Sequence, residues 1–427
     1  MFISKTKKFV GVCMVVLTMV SVAHVSAQDW AKPLIKNQHR VDMRDLGYPL
    51  ANEIPVNSSA ITSLITSRSG IIYGCTSGEE AYLFLFDPAT NKVRHLGKIP
   101  GHTGVHHSLV EDIDGNIYIG TGKDMFADVP LSKRGDGDDK FDVTLWKDIK
   151  KHFSSYAGGR LYRYNVTSNS IIKLADGHAD IQDLGIPLPN NSIYALTINP
   201  RYGEIYGLTY PDGHFFVYNI SSKKFTDLGE VDSQKVYHGP ERQWRTLPRA
   251  LVCDDSGRVF MSGNKATLKY YDPKARQLVS TNIEIPGDYY YIQFYFDYTA
   301  VEYFAKDANG LIYGGTTDGY LFAFDPVKMQ LRNLGKVRES RRLRCLALGK
   351  DGKVYFMAGE RSASRPCQFY AYDPHAGAFE TLGMLIVDRS PYYYWRGQQF
   401  DCMTAGVDGT IYLGESERKS HLFLFIP

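Results

Sequence analysis

One pattern recurs seven times along this chain of 427 residues, and it limits the fold more than anything else in the sequence. Its clearest copy reads Asn309-Gly-Leu-Ile-Tyr-Gly-Gly-Thr, then Gly319-Tyr-Leu-Phe-Ala-Phe-Asp-Pro, then Leu331-Arg-Asn-Leu-Gly. The anchor is a turn glycine followed three residues later by an aromatic: Gly70 with Tyr73, Gly115 with Tyr118, Gly203 with Tyr206, Gly257 with Phe260, Gly310 with Tyr313, Gly352 with Tyr355 and Gly409 with Tyr412. After the first six anchors an alternating strand ends on an aromatic and a turn-starting Asp or Asn, as in Phe86-Asp87, Tyr164-Asn165, Tyr218-Asn219, Tyr271-Asp272, Phe324-Asp325 and Tyr372-Asp373. A further strand usually closes on Leu-Gly, as at Leu96-Gly97, Leu228-Gly229, Leu334-Gly335 and Leu382-Gly383.

Each unit therefore supplies an apolar strand, a hairpin at the glycine and two more alternating strands, which is a four-stranded antiparallel sheet. One such sheet cannot bury both faces, and seven close into a ring whose edges are protected. The expected fold is all-β: a seven-bladed β-propeller. Both ends of the chain support closure. The chain stops after the third strand of the last unit, at 422–427, and the missing fourth strand has its match at the start, where 40–47 resembles 91–97. The N-terminal strand is expected to complete the last blade. The distance from Gly115 to Gly203 is far longer than any other, which places one insertion, expected to be helical, at about 123–158 in the second blade. Its residues Leu145, Trp146, Ile149, Phe153 and Tyr156 fall at helical spacing.

Lys5, Lys7 and Lys8 precede an apolar run, and Val25-Ser26-Ala27 is a small-x-small cleavage site. Residues 1–27 thus read as a secretory signal, with 28–427 a single exported domain, periplasmic or secreted and without a membrane span. The formal charge is +3, but three lysines and no acid lie in that leader, so the remainder is neutral. A neutral domain lacks the basic footprint of a nucleic-acid binder. The five cysteines beyond the leader, Cys75, Cys253, Cys345, Cys367 and Cys402, have neither CxxC nor zinc-finger spacing, and most read as buried apolar residues. No feature calls for an oligomer, and a monomer is expected.

The chemistry appears when the innermost strands are aligned on the anchor glycine. The residue eight positions before it is Thr62, His107, Ala195, Arg249, Glu302, Arg344 or Asp401. Five of these seven carry charge in otherwise apolar strands, which is a polar ring at a channel mouth: a salt-bridged structural ring or a pocket. Loops expected on the same face add His102 and His106, Arg242, Trp244 and Arg245, Tyr289 to Tyr291, Arg341 and Arg342, and Tyr392, Tyr393, Tyr394, Trp395 and Arg396. Aromatic faces suit sugar rings, and Arg forks suit carboxylates or sulfates. The expected ligand is an anionic carbohydrate, held by His106, Arg245, Glu302, Arg344, Tyr393, Trp395, Arg396 and Asp401. No cofactor is required. A divalent cation on His107, Glu302 and Asp401 stays open, although Arg249 and Arg344 would repel it.

The Gly-x-Ile-Tyr-x-Gly-Thr, Tyr/Phe-Asp-Pro and Leu-Gly unit, over residues 40–427, resembles secreted seven-bladed propellers of bacterial polysaccharide breakdown, such as ulvan lyases and rhamnose–glucuronate lyases. That resemblance implies β-elimination at a uronic acid by His, Tyr and Arg. Here Gly104-Val-His106-His107-Ser108 offers the histidines, Tyr194 the phenol and Arg249 the guanidinium, so His107, Tyr194 and Arg249 are the expected catalytic residues. A second matching His in the following loop is absent. The alternatives are a propeller that binds a glycan or protein without chemistry, and a metal-dependent lactonase-like hydrolase.

Overall fold

The structure, a computed structural model, describes residues 38–42, 54–123, 151, 153–166, 174–231, 247–288, 298–337, 342–359, 367–390, 393–397, 399–416 and 420–427. For 38–42, 386–390 and 393–396 the description is of the backbone. The leader, and the insertion except for its end, lie outside the described residues.

Seven four-stranded antiparallel sheets follow one another along the chain. Blades 1 to 6 each run from an inner strand to an outer one in sequence order. Their inner strands are Ala60–Thr66, Leu109–Glu111, Ser192–Asn199, Val252–Cys253, Val301–Lys306 and Leu343–Leu348. Blade 7 has Phe400–Ala405 innermost, then Ile411–Glu415 and His421–Phe425, and its outer strand is Gln38–Asp42. Gln38 pairs with Phe425 and Asp42 with His421, so the two ends of the chain share a ladder and close the ring. The expected match ran to residue 47; the ladder spans 38–42, and 43–50 lie outside the described residues.

The repeat residues explain why the units fold alike. All seven anchor glycines have positive φ, from +59° at Gly203 to +96° at Gly257, the left-handed hairpin position that glycine adopts without a Cβ clash. A second glycine in the pattern serves a close approach: a Cβ on Gly74, Gly207 or Gly314 would meet the ring of Phe84, Phe216 or Phe322 on the next strand at 2.2, 2.2 and 2.1 Å. The Asp after the third strand accepts the turn amide, as from Ala89 to Asp87 at 3.0 Å and from His375 to Asp373 at 2.8 Å.

The aromatics three residues after each anchor are all buried and join adjacent blades. Tyr73 meets Tyr164 at 6.1 Å, Tyr206 meets Tyr271 at 5.4 Å, Phe260 meets Phe324 at 4.9 Å, Tyr355 meets Phe425 at 5.6 Å and Tyr412 meets Phe86 at 5.7 Å. Buried apolar clusters accordingly straddle neighbouring blades rather than sit within one. The five cysteines are free thiols, four of them buried and Cys253 half-buried. Among the described residues no helix is long and apolar enough to cross a membrane.

Candidate functional site

Five inner strands carry the same irregularity. The ladder to the second strand slips between Ile61 and Ser63, Ile193 and Ala195, Val301 and Tyr303, Leu343 and Cys345, and Phe400 and Cys402. The residue at each slip is Thr62, Tyr194, Glu302, Arg344 or Asp401. A bulge leaves one residue out of the ladder and re-aims its side chain, here at the start of the strands that surround the axis. In blades 2 and 4 the ladder begins after the equivalent residues, His107 and Arg249.

The register corrects one sequence assignment. In every blade the aromatic of the anchor pairs with the residue three places after the ring position: Tyr73 with Ile65, Tyr118 with Val110, Tyr206 with Thr197, Phe260 with Val252, Tyr313 with Ala305, Tyr355 with Ala347 and Tyr412 with Thr404. Blade 3 has one more residue ahead of its glycine, so its ring member is Tyr194 and not Ala195. Ala195 is in the ladder opposite Leu208 and packs in the core. The ring is therefore Thr62, His107, Tyr194, Arg249, Glu302, Arg344 and Asp401.

Its charges form two groups. Glu302, 2% exposed, takes two guanidinium groups: Arg249 donates from Nη1 to Oε1 at 3.1 Å, and Arg342 donates from Nε to Oε1 at 2.8 Å and from Nη2 to Oε2 at 3.2 Å. Arg342 stands just before the blade 6 inner strand with φ +65°. In the second group Arg344 donates from Nη1 to Asp401 at 2.7 Å and from Nε to the Gly359 carbonyl at 3.3 Å. The other Asp401 oxygen accepts from Gln399 at 2.8 Å and Ser416 at 2.6 Å. Burial works to raise the Asp401 pKa, but Arg344, Arg342 and these hydrogen bonds outweigh it and hold the carboxyl well below the usual range.

Beside the charges lies a column of rings. Phe153, from the end of the blade 2 insertion, meets Tyr210 at 5.7 Å, and Tyr210 meets Tyr194 at 5.9 Å. Tyr194 stacks on His106 at 5.0 Å and lies 6.0 Å from His107. His107 in turn meets Tyr303 edge-on at 5.3 Å, and the Tyr303 hydroxyl donates across to the Met403 carbonyl of blade 7 at 3.1 Å. The insertion end is anchored here: the Tyr156 hydroxyl is 2.8 Å from His102 Nδ1, and Asn190 donates to the Ser154 carbonyl at 3.0 Å. Lys123, where the insertion leaves the blade, lies 5.9 and 5.7 Å from the Phe153 and Tyr156 ring centres.

Electrostatics keep the two candidate proton carriers neutral. Burial pushes the His107 pKa down, helped by Arg342 and Arg249 against the pull of Asp401 and Glu302. Burial likewise pushes the Tyr194 phenol up, with Glu302 and Asp401 opposing the two arginines. His107 Nδ1 is enclosed and meets no hydrogen-bond partner among the described residues. Below the mouth, a cavity of about 140 Å³ follows the axis, with His107, Glu302 and Tyr303 in its wall and Leu64, Leu196 and Leu251 among its apolar residues.

The structure thus brings together His106, His107, Tyr194, Arg249 and Glu302, and places Arg344 and Asp401 as a pair in the same ring. Arg342 joins them; the sequence showed it only as one basic residue in a loop. Arg245 lies outside the described residues. So do the side chains of Tyr393, Trp395 and Arg396, whose backbone forms a short hairpin, Ile386–Ser390 with Tyr393–Arg396, leading into the blade 7 inner strand. Among the described residues no three His, Cys, Asp or Glu side chains gather as a cation site needs.

No family model and no curated protein sequence matches the chain. Among solved structures it is similar to streptogramin B lyase, with TM-score 0.58 and 9% identity over 92% of this chain and 98% of that one. It is also similar to a catalytically inactive variant of virginiamycin B lyase from Staphylococcus aureus with quinupristin, with TM-score 0.57 and 9% identity over 91% and 99% of the two chains. A third is the extracellular domain of a putative one-component system from B. thetaiotaomicron, with TM-score 0.55 and 12% identity over 91% of this chain and 40% of the longer one. At these identities the likeness is one of fold.

Proposed function

We propose that the axial site binds an anionic, uronic-acid-type carbohydrate and cleaves it by β-elimination. One observation carries this reading: a neutral His107 and a neutral Tyr194 lie with ring centres 6.0 Å apart beside Arg249 and Arg342, which both donate to Glu302. A substrate carboxylate would pair with these guanidinium groups. Pairing with guanidinium groups withdraws electron density and acidifies the proton on the adjacent carbon. His107, unprotonated at neutral pH, takes that proton; the carbon–oxygen bond at the neighbouring carbon breaks as the double bond forms; and Tyr194 gives its proton to the departing oxygen. The Arg344–Asp401 pair, tied to Gln399 and Ser416, frames the site and orients the blade 7 edge.

Binding without chemistry is the second reading, and a specific observation favours it: Arg249, Arg342 and Arg344 all already have carboxylate partners. Incubation with uronic polysaccharides and their oligosaccharides, followed by absorbance of the unsaturated uronate, separates the two. A rise that disappears in His107→Ala and Tyr194→Phe supports elimination. Binding without a rise leaves a glycan-binding propeller. Neither binding nor a rise removes the carbohydrate reading.

A further inference from the structure

Resting on the elimination reading for its chemistry, we infer that Tyr303 is the residue that positions His107: its side chain spans the propeller axis and braces the imidazole. The repeat singles it out. The residue after the ring position is Ser63, Ser108, Ala195, Ala250, Cys345 or Cys402 in six blades, all of them small, and Tyr303 in blade 5. Two of the small side chains reach only the neighbouring strand: the Cys345 thiol donates to the Phe400 carbonyl at 3.6 Å and the Cys402 thiol to the Ile61 carbonyl at 3.5 Å. Tyr303 reaches further. It packs against the buried cluster that holds Leu343 and Leu346 of blade 6, and its hydroxyl passes that blade to donate to the Met403 carbonyl of blade 7 at 3.1 Å. Its ring meets His107 of blade 2, on the far side of the axis, at 5.3 Å. Among the described residues the wall of the axial cavity takes nothing from blade 6, and Tyr303, which lines that cavity, lies in between. A residue that breaks the repeat without gaining a place in the blade's own packing is a candidate for function.

His107 needs such a brace. A histidine that moves protons is commonly oriented by a hydrogen bond at its second ring nitrogen, but His107 Nδ1 is enclosed and meets no partner among the described residues. Its backbone is tied by the Leu196 amide, which donates to the His107 carbonyl at 3.0 Å, while the ladder of its own strand begins only at Leu109. Ring packing is what remains to set the imidazole plane: Tyr194 at 6.0 Å and Tyr303 at 5.3 Å, the latter inclined at 77°. The two have separate supports. Tyr194 rests on His106 and Tyr210, whereas Tyr303 is tied to Met403. The Tyr303 hydroxyl is committed to that carbonyl, so its part is to hold, not to exchange a proton. Tyr303 also adds to the burial that keeps His107 neutral, with Arg342 and Arg249 on the same side of the balance and Asp401 and Glu302 against it. Taking the ring away lets water from the cavity reach the imidazole, and the His107 pKa then moves up.

The test compares the wild type with Tyr303→Phe, which keeps the ring and drops its tie, and Tyr303→Leu, which removes the ring. Histidine side-chain NMR follows His107, identified by the signal that His107→Gln lacks, and unsaturated-uronate absorbance follows turnover of ulvan oligosaccharides. The His107 signal should shift in both variants, and in Tyr303→Leu its pKa should rise toward about 6.5. Turnover at saturating substrate should fall about threefold in Tyr303→Phe and about tenfold or more in Tyr303→Leu, with KM within about twofold of the wild type. A His107 signal and titration that match the wild type in both variants overturn the inference, whatever the melting temperatures do. A loss confined to KM also overturns it and places Tyr303 against the ligand. If Tyr303→Leu does not fold, Tyr303→Phe decides on the same readouts. No absorbance from the wild type removes the elimination reading alone, since the His107 signal still decides whether Tyr303 holds the imidazole.

Discussion

Replacing Glu302 with Gln separates a structural ring from an anion site. The carboxylate is 2% exposed and accepts three hydrogen bonds from two guanidinium groups. Gln keeps the shape but carries no charge, and its amide nitrogen turns a donor toward one of the two donating arginines. Removing one partner of a buried ion pair costs about 3–5 kcal/mol, because the remaining charge is left uncompensated. With an unfolding entropy of about 2.1 cal/mol/K per residue over roughly 400 residues, that cost lowers the melting temperature by about 4–6 °C. If the arginines serve an anion, galacturonate or glucuronate should restore part of this loss and stabilise Glu302→Gln more than the wild type. Differential scanning fluorimetry across a uronate titration, with galactose as the neutral control, measures both effects. A variant that melts with the wild type refutes the buried-pair assignment. A variant that is destabilised but gains no more from uronate than the wild type refutes the anion site.

Three further outcomes are expected. Deleting residues 28–42 exposes the edge of His421–Phe425, lowers the melting temperature and promotes association; an unchanged melting curve would refute closure by the chain ends. His102 is buried and neutral, with its pKa pushed down to about 4, against about 6.5 in an unfolded chain. The unfolded state therefore binds the proton first, and up to about 3 kcal/mol of stability is lost as pH falls from about 6.5 to 4. Urea unfolding midpoints across that range should fall in the wild type and flatten in His102→Phe; parallel curves would refute this. Phe153→Leu loosens the support of Tyr210 and through it Tyr194, so elimination should slow at saturating substrate with KM little changed. A change confined to KM would place Phe153 against the ligand instead.

The fold was legible because its determinants are local. A positive φ at Gly310, a ring packed on Gly314 and an amide bound by Asp325 each act within a few residues, so seven copies leave seven visible marks. The site was legible only as far as its register followed the same marks. The eight-residue count located His107, Arg249, Glu302, Arg344 and Asp401 but put Ala195 in place of Tyr194, because one additional residue before Gly203 shifts blade 3 against its glycine. Arg342 left no periodic mark at all: it lies off the strand, and its contact with Glu302 joins two blades. The column from Phe153 to Tyr194 was hidden for the same reason, since an insertion has no counterpart in the other blades against which to align it.

The shared ladder of Gln38–Asp42 and His421–Phe425 also sets an order of events during synthesis. The outer strand of blade 7 is made before any other part of the ring, yet its partner emerges last. Loop-closure entropy across nearly the whole chain must be met before that contact forms. Six blades can take shape while the chain is still growing, but the ring stays open until His421–Phe425 has been made. A nascent or truncated chain therefore carries a bare strand edge at each end of an unfinished circle, and both are sealed in one last step.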